Sequence, residues 1–379
     1  MTRALAPIYL TVFVDVLALT LVLPLLPYYA EHFGASPFQV GLLFAAFSIC
    51  QLVSGPLLGR LSDRIGRKPV LVSSQLGTFI GLLTIGFAPR LEFLFLGRII
   101  DGLTAGNLTI AQAYIADVTK PEHRTRAFAF FGIAFGVGFL IGPMLSGFLA
   151  HAFGFSAPPL GAAGLSALSM VLSTSLLPKS APPPSTGPRP SFASLAARPK
   201  PRARVAELFA YVFSFSMLTG GLAMFLQRRL DFDVREVGFA FGFSGLVGAL
   251  VQGAVGPLSR KLGDLKLSAG GLLVMIAGYL ALAQVHSIGM LALALGVGSL
   301  GSSVVRPALT SLLTQSVEES ERGSALGMSQ AASSLAQTLG PATAGLLIDR
   351  GALSGWAYCA AGLAFGALVV RWLLDAPSA

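Results

Sequence analysis

Residues 59–68 read GRLSDRIGRK, and five of these ten residues are charged. The whole chain of 379 residues is only 11% charged. No Lys, Arg, Asp or Glu occurs in residues 32–59 before this stretch, or in residues 69–89 after it. An α-helix needs about 20 apolar residues to cross a bilayer. The stretch therefore indicates a loop between two membrane-spanning helices, and we call residues 59–68 the charged turn.

The composition of the whole chain predicts an all-α membrane protein with many spans. Apolar residues make up 54% of it, and its charged fraction is less than half of the roughly 25% that soluble domains carry. The N-terminal apolar run lacks a small-residue cleavage site, so we interpret it as a first span and not as a signal peptide. Twelve transmembrane helices are predicted, at residues 5–29, 37–59, 69–89, 91–116, 125–150, 157–177, 206–227, 235–259, 267–286, 288–314, 323–348 and 352–374.

The basic residues set the orientation of these spans, because short cytoplasmic loops retain positive charge. If the N-terminus is inside, the inner segments hold 19 Lys and Arg residues and the outer loops hold five. Both termini are therefore predicted to be cytoplasmic, in the inner (plasma) membrane. The net charge of +9 becomes a topology signal, and no nucleic-acid partner is expected.

A Pro-rich, basic segment separates the first six predicted spans from the last six. Its composition cannot bury a core, so residues 178–204 are predicted to form a flexible cytoplasmic linker. The predicted domains are an N-terminal six-helix half at 1–177 and a C-terminal six-helix half at 205–379. The cysteines and histidines are scattered without ligand spacing, so neither a metal site nor a cofactor is expected.

The two halves carry matching landmarks in the same order. GPMLSG from Gly142 and GPATAG from Gly340 differ by 198 positions, as do Arg124 and Arg322. The charged turn and GPLSRKLGDL, which begins at Gly256, differ by 197. An internal repeat of six spans is predicted. Two parallel repeats are one plan for a secondary transporter, with the substrate near the bilayer midplane between the halves.

These patterns resemble the major facilitator superfamily over the full length of the chain. The first half most resembles bacterial drug:proton antiporters of the tetracycline-efflux type. In span four, Arg98 and Gly102 match a second superfamily pattern, and GVGFLIGPMLSG in span five resembles the antiporter signature with Ser146 in place of a glycine. Asp15 resembles an acidic residue found there in many tetracycline-type exporters. The charged turn matches the superfamily signature at each defining position, namely Gly59, Asp63, Arg64, Gly66, Arg67 and Lys68.

The charged turn has two interpretations. It is basic only to fix topology, or it is a cytoplasmic latch between two moving halves. Topology alone leaves Asp63 unexplained, as well as two glycines that permit a tight turn. As a latch, Asp63 accepts hydrogen bonds from the N-terminus of a facing helix, which the resemblance identifies as span eleven, and Arg67 pairs with Asp117.

Four charges lie inside predicted spans, where an ionisable residue normally faces the bundle interior. Arg98 and Asp101 can pair on one helix face, which either stiffens span four or leaves Arg98 free to modulate an acid on span one. Asp15 has no partner at i±3 or i±4, and an apolar environment disfavours a charged carboxyl. It is the candidate proton carrier, or else an acid that only shapes its helix. Arg306 either snorkels to the surface or faces the cavity.

Two further groups of residues are assigned by type. Polar residues within the spans are candidates for the substrate cavity, or for hydrogen bonds between helices. With Arg306, they are Gln51, Asn107, Gln112, Gln252, Gln330 and Gln337. Small residues and prolines are expected to allow close helix packing, namely Gly138, Gly142, Pro143, Gly147, Gly340 and Pro341.

The residues and the resemblance together predict a secondary active transporter that exports small amphiphilic, drug- or tetracycline-like compounds in exchange for protons by alternating access. The expected partners are a small-molecule substrate, protons and the lipid bilayer, and the chain is expected to act as a monomer. The alternative is an importer or facilitator of a polar solute or organic anion with the same fold. An intramembrane enzyme would need a paired catalytic constellation, which the sequence does not contain, and a receptor or scaffold would not need a complete latch motif.

Overall fold

The computed structural model describes residues 2–119, 124–178, 195, 197–318 and 321–375, and these residues form fourteen α-helices. The first eight are α1 Thr2–Val22, α2 Leu26–His32, α3 Pro37–Ile65, α4 Arg67–Gly86, α5 Leu91–Leu103, α6 Asn107–Val118, α7 Arg124–Phe153 and α8 Ala157–Leu176. The other six are α9 Pro199–Leu230, α10 Val234–Leu262, α11 Asp264–Ala283, α12 Ile288–Gln315, α13 Arg322–Asp349 and α14 Leu353–Asp375.

The twelve predicted spans correspond to these helices. Ten segments are long and apolar enough to cross a membrane, one of which is α5 and α6 together as Leu91–Ile115. An eleventh is the pair α1 and α2, bent by 41°. Pro24 lies at that break and supplies no backbone N–H to continue the helix. The twelfth is α13, whose 28 residues are long enough to span although it is less apolar. The prediction of an all-α membrane protein with twelve transmembrane helices is confirmed.

The span made of α5 and α6 is interrupted at residues 104–106, and a side chain satisfies the interrupted backbone. Ser74 of α4 donates its hydroxyl to the Thr104 carbonyl and accepts from the Gly106 N–H at 2.9 Å. Ser54 of α3 donates to the Gly102 carbonyl at 2.8 Å. A break inside a membrane needs such partners, because lipid supplies none for the freed backbone groups.

Packing divides the chain into two compact units. Unit 1 consists of Met1–Ser36, Leu43–Ser185 and Phe232–Leu246. Unit 2 consists of Pro37–Leu42, Thr186–Asp231 and Val247–Ala379. In unit 1, α1 packs on α7 and α8, and α4 packs on α5 and α8. In unit 2, α9 packs on α13 and α14, and α11 packs on α12 and α14, so the same pairing recurs.

A hydrogen bond between two helices also recurs in both units. Thr20 of α1 donates its hydroxyl to the Gly138 carbonyl of α7 at 2.9 Å, and Ser216 of α9 donates to the Ala336 carbonyl of α13 at 3.0 Å. Gly138 and Ala336 differ by the 198 positions that separate the sequence landmarks. We call these two contacts the hydroxyl hooks. They support the predicted duplication at the level of single hydrogen bonds.

The end of the predicted linker is helical, which corrects the sequence assignment. α9 begins at Pro199, so residues 199–204 belong to a helix and not to a flexible segment. Leu195 is fully buried against Leu313 and Ala325 of unit 2. Arg198 donates both terminal nitrogens to the Glu321 carboxylate, one of them at 2.8 Å. The hydrogen bonds from Arg198 hold the pKa of Glu321 below its usual value. Residues 179–194 and 196 of the predicted linker lie outside the described residues.

Candidate functional site

A polar chamber of ≈ 100 Å³ lies within unit 1. Its lining includes Asp15 of α1, Gln51 of α3, Arg98 and Asp101 of α5, and Asn107 of α6. The three residues that the sequence assigned to proton coupling therefore lie around one cavity. Its volume is below the roughly 300–1,000 Å³ of pockets that enclose a whole drug-sized ligand.

Asp15 is buried inside unit 1, with 9% of its surface exposed. Gln75 of α4 and Ser169 of α8 lie beside its carboxyl group, and Asp101 is an acid that acts on it electrostatically. The Asp15 Oδ2 atom has no hydrogen-bond partner among the described residues. The carboxyl is therefore buried with one oxygen that no described group satisfies.

Arg98 and Asp101 pair along α5, as their spacing predicted. Arg98 Nη1 lies 3.5 Å from Asp101 Oδ2, and the arginine is 3% exposed. Its guanidinium carbon lies 4.1 Å from the centre of the Phe47 ring, a cation–π contact. The Nε atom of Arg98 has no hydrogen-bond partner in the described part of the chain. The pair is thus incompletely satisfied and keeps a donor at the chamber.

A neutral polar layer supports Asp15 from the other helices, and sequence reasoning missed it. Gln75 Nε2 donates to Ser169 Oγ at 2.8 Å, and Ser166 donates to the Gln75 carbonyl at 3.0 Å. Ser169 in turn donates to the Thr11 carbonyl of α1 at 3.4 Å. Gln75 is fully buried, and a lone glutamine within an apolar span is the sequence signal that could have identified it.

The charged turn is built around Arg67, which is 7% exposed. Its Nη1 lies 2.6 Å from Asp63 Oδ1, and its Nε donates to Asp117 Oδ2 at 2.9 Å. Ser62 accepts a third hydrogen bond, at 2.7 Å. The pairing of Arg67 with Asp117 was predicted and is present. Whether Asp63 also meets span eleven stays a prediction.

The other residues of the charged turn have different structural roles. Gly66 has φ 97°, which favours glycine, and forms the tight turn between α3 and α4. Gly59 lies inside α3, so the prediction that it also permits the turn is wrong: the helix continues through it to Ile65. Lys68 Nζ donates to the Thr174 and Leu177 carbonyls at the end of α8, at 2.7 and 2.5 Å. Arg64 is exposed.

The candidate cavity residues are not all in one place. Of the seven, Gln51 and Asn107 line the polar chamber, and Asn107 Oδ1 is buried there without a described partner. Gln337 donates to the Ser333 carbonyl of its own helix at 3.3 Å. The other four are exposed, namely Gln112, Gln252, Arg306 and Gln330. Their part in a substrate cavity stays a prediction.

The small residues of α7 and α13 lie at close helix contacts. A Cβ at Gly142 would clash with the Thr20 side chain, and a Cβ at Gly340 would clash with the Ser216 side chain. Gly138 lies against Val16. Gly147 and Pro143 lie against the start of α10, and Pro341 lies against Gly220. These contacts agree with the expected packing role, because only a residue without a side chain allows such an approach.

Unit 2 contains a buried charged cluster that the sequence reasoning overlooked. Glu207 of α9 is fully buried, with Arg204 Nη1 at 2.9 Å and Arg371 Nη1 of α14 at 3.5 Å. Arg371 also donates to Ser268 of α11 at 2.7 Å. The spacing of Arg204 and Glu207, three residues apart, was a readable signal for a pair on one helix face. The cluster joins α9, α11 and α14.

Unit 2 also holds the counterpart of Arg67, with the charge reversed. Asp264 lies 197 positions after Arg67, and Ser259 lies 197 after Ser62. The Asp264 carboxylate accepts hydrogen bonds from Ser259 at 2.5 Å, Ser311 at 2.6 Å and Gln315 at 3.0 Å. The carboxylate is therefore stabilised by neutral groups, whereas Arg67 is held by two acids.

The predicted spans, arranged in two repeated units with charged groups of α1 and α5 around a small chamber, are the architecture of a polytopic membrane transporter. Residues 8–228 and 206–379 each match the model of the Major Facilitator Superfamily. The chain belongs to that superfamily, whose members are transporters of small molecules and not enzymes.

Individual relatives are consistent with membership of this superfamily. The chain is 32% identical over 355 residues to tetracycline resistance protein, class C, of Escherichia coli, covering 89% of this chain and 88% of that protein. It is 28% identical over 369 residues to multidrug resistance protein 1 of Bacillus subtilis (strain 168), covering 95% and 94%. Its fold is similar to that of the human organic anion transporter MFSD10 (TETRAN), with 25% identity, 99% of both chains covered and a TM-score of 0.76.

Proposed function

We propose that this chain is a proton-coupled exporter of small amphiphilic compounds, drug- or tetracycline-like, that works by alternating access in the inner membrane with both termini cytoplasmic. The observation that carries the proposal is Asp15, a buried carboxyl with an unpartnered oxygen at a polar chamber. Ionisable residues within membrane spans mark proton relays and transport pathways.

Proton coupling follows from the chemistry of that carboxyl. In an apolar surrounding the neutral acid is favoured, and contact with water on one side of the membrane favours the anion. Asp15 therefore gains a proton in one state of the transporter and loses it in another. Asp101 and Arg98 adjust this exchange, because both lie at the same chamber and the two acids interact.

Export of drug-like compounds is supported by the relatives. Two of them are named for resistance to tetracycline and to multiple drugs, and their alignments cover most of both chains. The charged turn supports a transporter that changes shape, because Arg67, Asp63 and Asp117 form a compact ionic group where α3 meets α4. In our proposal this group holds the cytoplasmic side closed in one of the two states.

A second candidate is a transporter of organic anions, favoured by the structural likeness to MFSD10. Arg306 is an exposed cation on α12 and is the residue that would receive an anionic group in that case.

Purified protein in proteoliposomes separates the candidates. Tetracycline and a fluorescent organic anion are each offered with and without an imposed pH gradient, for the wild type and for Asp15→Asn. Proton-driven accumulation of tetracycline that Asp15→Asn abolishes supports the first proposal. Accumulation of the anion alone, sensitive to Arg306→Gln, supports the second.

A further inference from the structure

We propose that the polar chamber holds a cluster of ordered waters that joins Asp15 to the Asp101–Arg98 pair past Asn107, and delivers protons to Asp15 separately from the substrate. The inference rests on the proposed proton coupling and adds the route by which the proton arrives.

Unsatisfied polar atoms converge on this cavity. Asp15 Oδ2, Arg98 Nε and Asn107 Oδ1 are each buried without a hydrogen-bond partner in the described part of the chain, and all three residues line the chamber. Asp15 and Arg98 are both more than nine-tenths buried. Leaving a buried polar group unpaired costs about 1–3 kcal/mol, so such atoms are expected to have partners.

The donor and acceptor character of these atoms favours water as the ligand. Two of them are acceptors and one is a donor, and a water molecule both donates and accepts. A metal ion would leave Arg98 Nε unsatisfied and would lie beside its positive charge. An anion would meet Asp15 and Asp101, which outnumber Arg98. Water satisfies both kinds of atom, and buried water typically makes two to four such bonds.

The size of the chamber agrees with this occupant. A single water needs about 10–15 Å³ of such space, and the chamber offers ≈ 100 Å³. Several waters therefore fit. The apolar residues Ala18, Leu82 and Leu108 form part of the wall.

The groups around Asp15 direct the proton to this side. The facing residues of α4 and α8 are Gln75, Ser166 and Ser169, which carry no titratable proton near neutral pH. The charged groups that face it are Asp101 and Arg98 of α5. In the loading step a protonated water of the chamber gives one proton to Asp15: one O–H bond breaks, one forms on the carboxyl, and neutral water remains.

Hydroxyl-radical labelling by water radiolysis, read by mass spectrometry, tests the waters without any transport assay. Buried side chains become oxidised when bound water lies beside them. Leu82 lines the chamber and is 3% exposed, and Leu222 of unit 2 is 2% exposed and is not among the lining residues. We expect Leu82 to be oxidised several times faster than Leu222. Equal, slow oxidation of both would overturn the proposal.

Two variants then link the waters to transport. Asn107→Leu removes the amide, and Ala18→Leu fills the chamber without touching a polar group. In at least one variant that folds, Leu82 labelling and proton-driven accumulation should fall together, while downhill substrate exchange continues. Thr174→Val, which removes an exposed hydroxyl of α8 that does not line the chamber, is the matched control.

The outcomes separate this inference from the proposed function. If wild-type accumulation ignores the pH gradient, proton coupling fails, and the labelling still reports on the chamber. If accumulation follows the gradient but Leu82 stays unlabelled or the filled chamber transports normally, the proton takes another route and the water cluster is rejected.

Discussion

Arg67 donates its Nε to Asp117 at 2.9 Å, across 50 positions of the chain, and its Nη1 lies 2.6 Å from Asp63. Two acids therefore share one buried cation at the end of α4. The arrangement joins the ends of α3, α4 and α6 to one another. Substitutions within this group are expected to reduce stability and transport more than substitution of the exposed Arg64 beside it.

Asp117→Asn should weaken this group while leaving membrane insertion intact. The amide keeps the size of the side chain but loses a charged hydrogen bond, which is expected to lower stability by about 1–3 kcal/mol. Transport should fall as well. Thermal unfolding in detergent and flux in inverted vesicles measure the two effects. Arg64→Gln is the control, and an equal loss there would mean that only the number of charges in the turn matters.

Asp15→Asn should uncouple transport from protons. Size and hydrogen-bonding capacity are kept, so the protein should fold, and exchange of substrate down its gradient should persist. Accumulation against a gradient should be lost when a pH gradient is imposed across proteoliposomes. Asp231→Asn, in the exposed turn before α10, is the matched control. Continued accumulation by Asp15→Asn would transfer the role to Asp101.

Gly142→Ala and Gly340→Ala should each destabilise the protein. A Cβ at either position would overlap the side chain that forms a hydroxyl hook, Thr20 or Ser216. Overpacking of this kind costs about 1–3 kcal/mol. Gly253→Ala points into open space on α10 and should be neutral or stabilising by up to about 1 kcal/mol. Melting temperatures of the three variants test this prediction. Similar values for all three would exclude tight helix contact at the hydroxyl hooks.

Glu207→Gln should be among the most destabilising single substitutions in unit 2. It leaves Arg204 and Arg371 without their shared anion in a fully buried position. Removing one partner of a buried ion pair costs about 3–5 kcal/mol. Exposed Glu92→Gln, in the first turn of α5, should cost no more than about 1 kcal/mol. Denaturation in the same detergent compares them, and a mild Glu207→Gln would show that the arginines find other partners.

The attachment of Arg198 to Glu321 should be lost at acidic pH. Because hydrogen bonds from Arg198 lower the folded-state pKa of Glu321 from its ordinary value of 4.5, the contact stabilises the attachment above that value. It weakens as the pH falls through the lowered pKa. Proteolysis near Leu195 should therefore accelerate below about pH 4.5. In Glu321→Gln it should be fast at every pH; a pH dependence that survives in this variant would implicate another group.

The sequence predicted the spans well because each one depends on a long local run of apolar residues. The Arg98–Asp101 pair could also be predicted from local sequence, because its members are three positions apart on one helix. The Arg67–Asp117 contact came from the predicted topology, which puts both residues at the cytoplasmic ends of their spans, and not from spacing. Local patterns also misled: Gly59 looked like part of a turn, but α3 continues through it.

The surroundings of Asp15 were not predictable from one chain. Gln75 and Ser169 come from two other helices, and nothing in a single sequence states which helices are neighbours. The breaks within the first and fourth spans were hidden because the apolar run continues through them. Leu195 shows a third limit: a lone leucine in a Pro-rich segment gives no sign that it will be buried.

The hydroxyl hooks have a consequence for the ancestry of the protein. Threonine in one unit and serine in the other perform the same bond, so the contact outlasted a change of residue. At the position that corresponds to Arg67, in contrast, the second copy has the oppositely charged Asp264. A six-helix ancestor that paired with itself would have carried identical charge centres in both copies. In one chain each copy can change alone, and the two units accordingly share the helix framework and differ in the placement of charge.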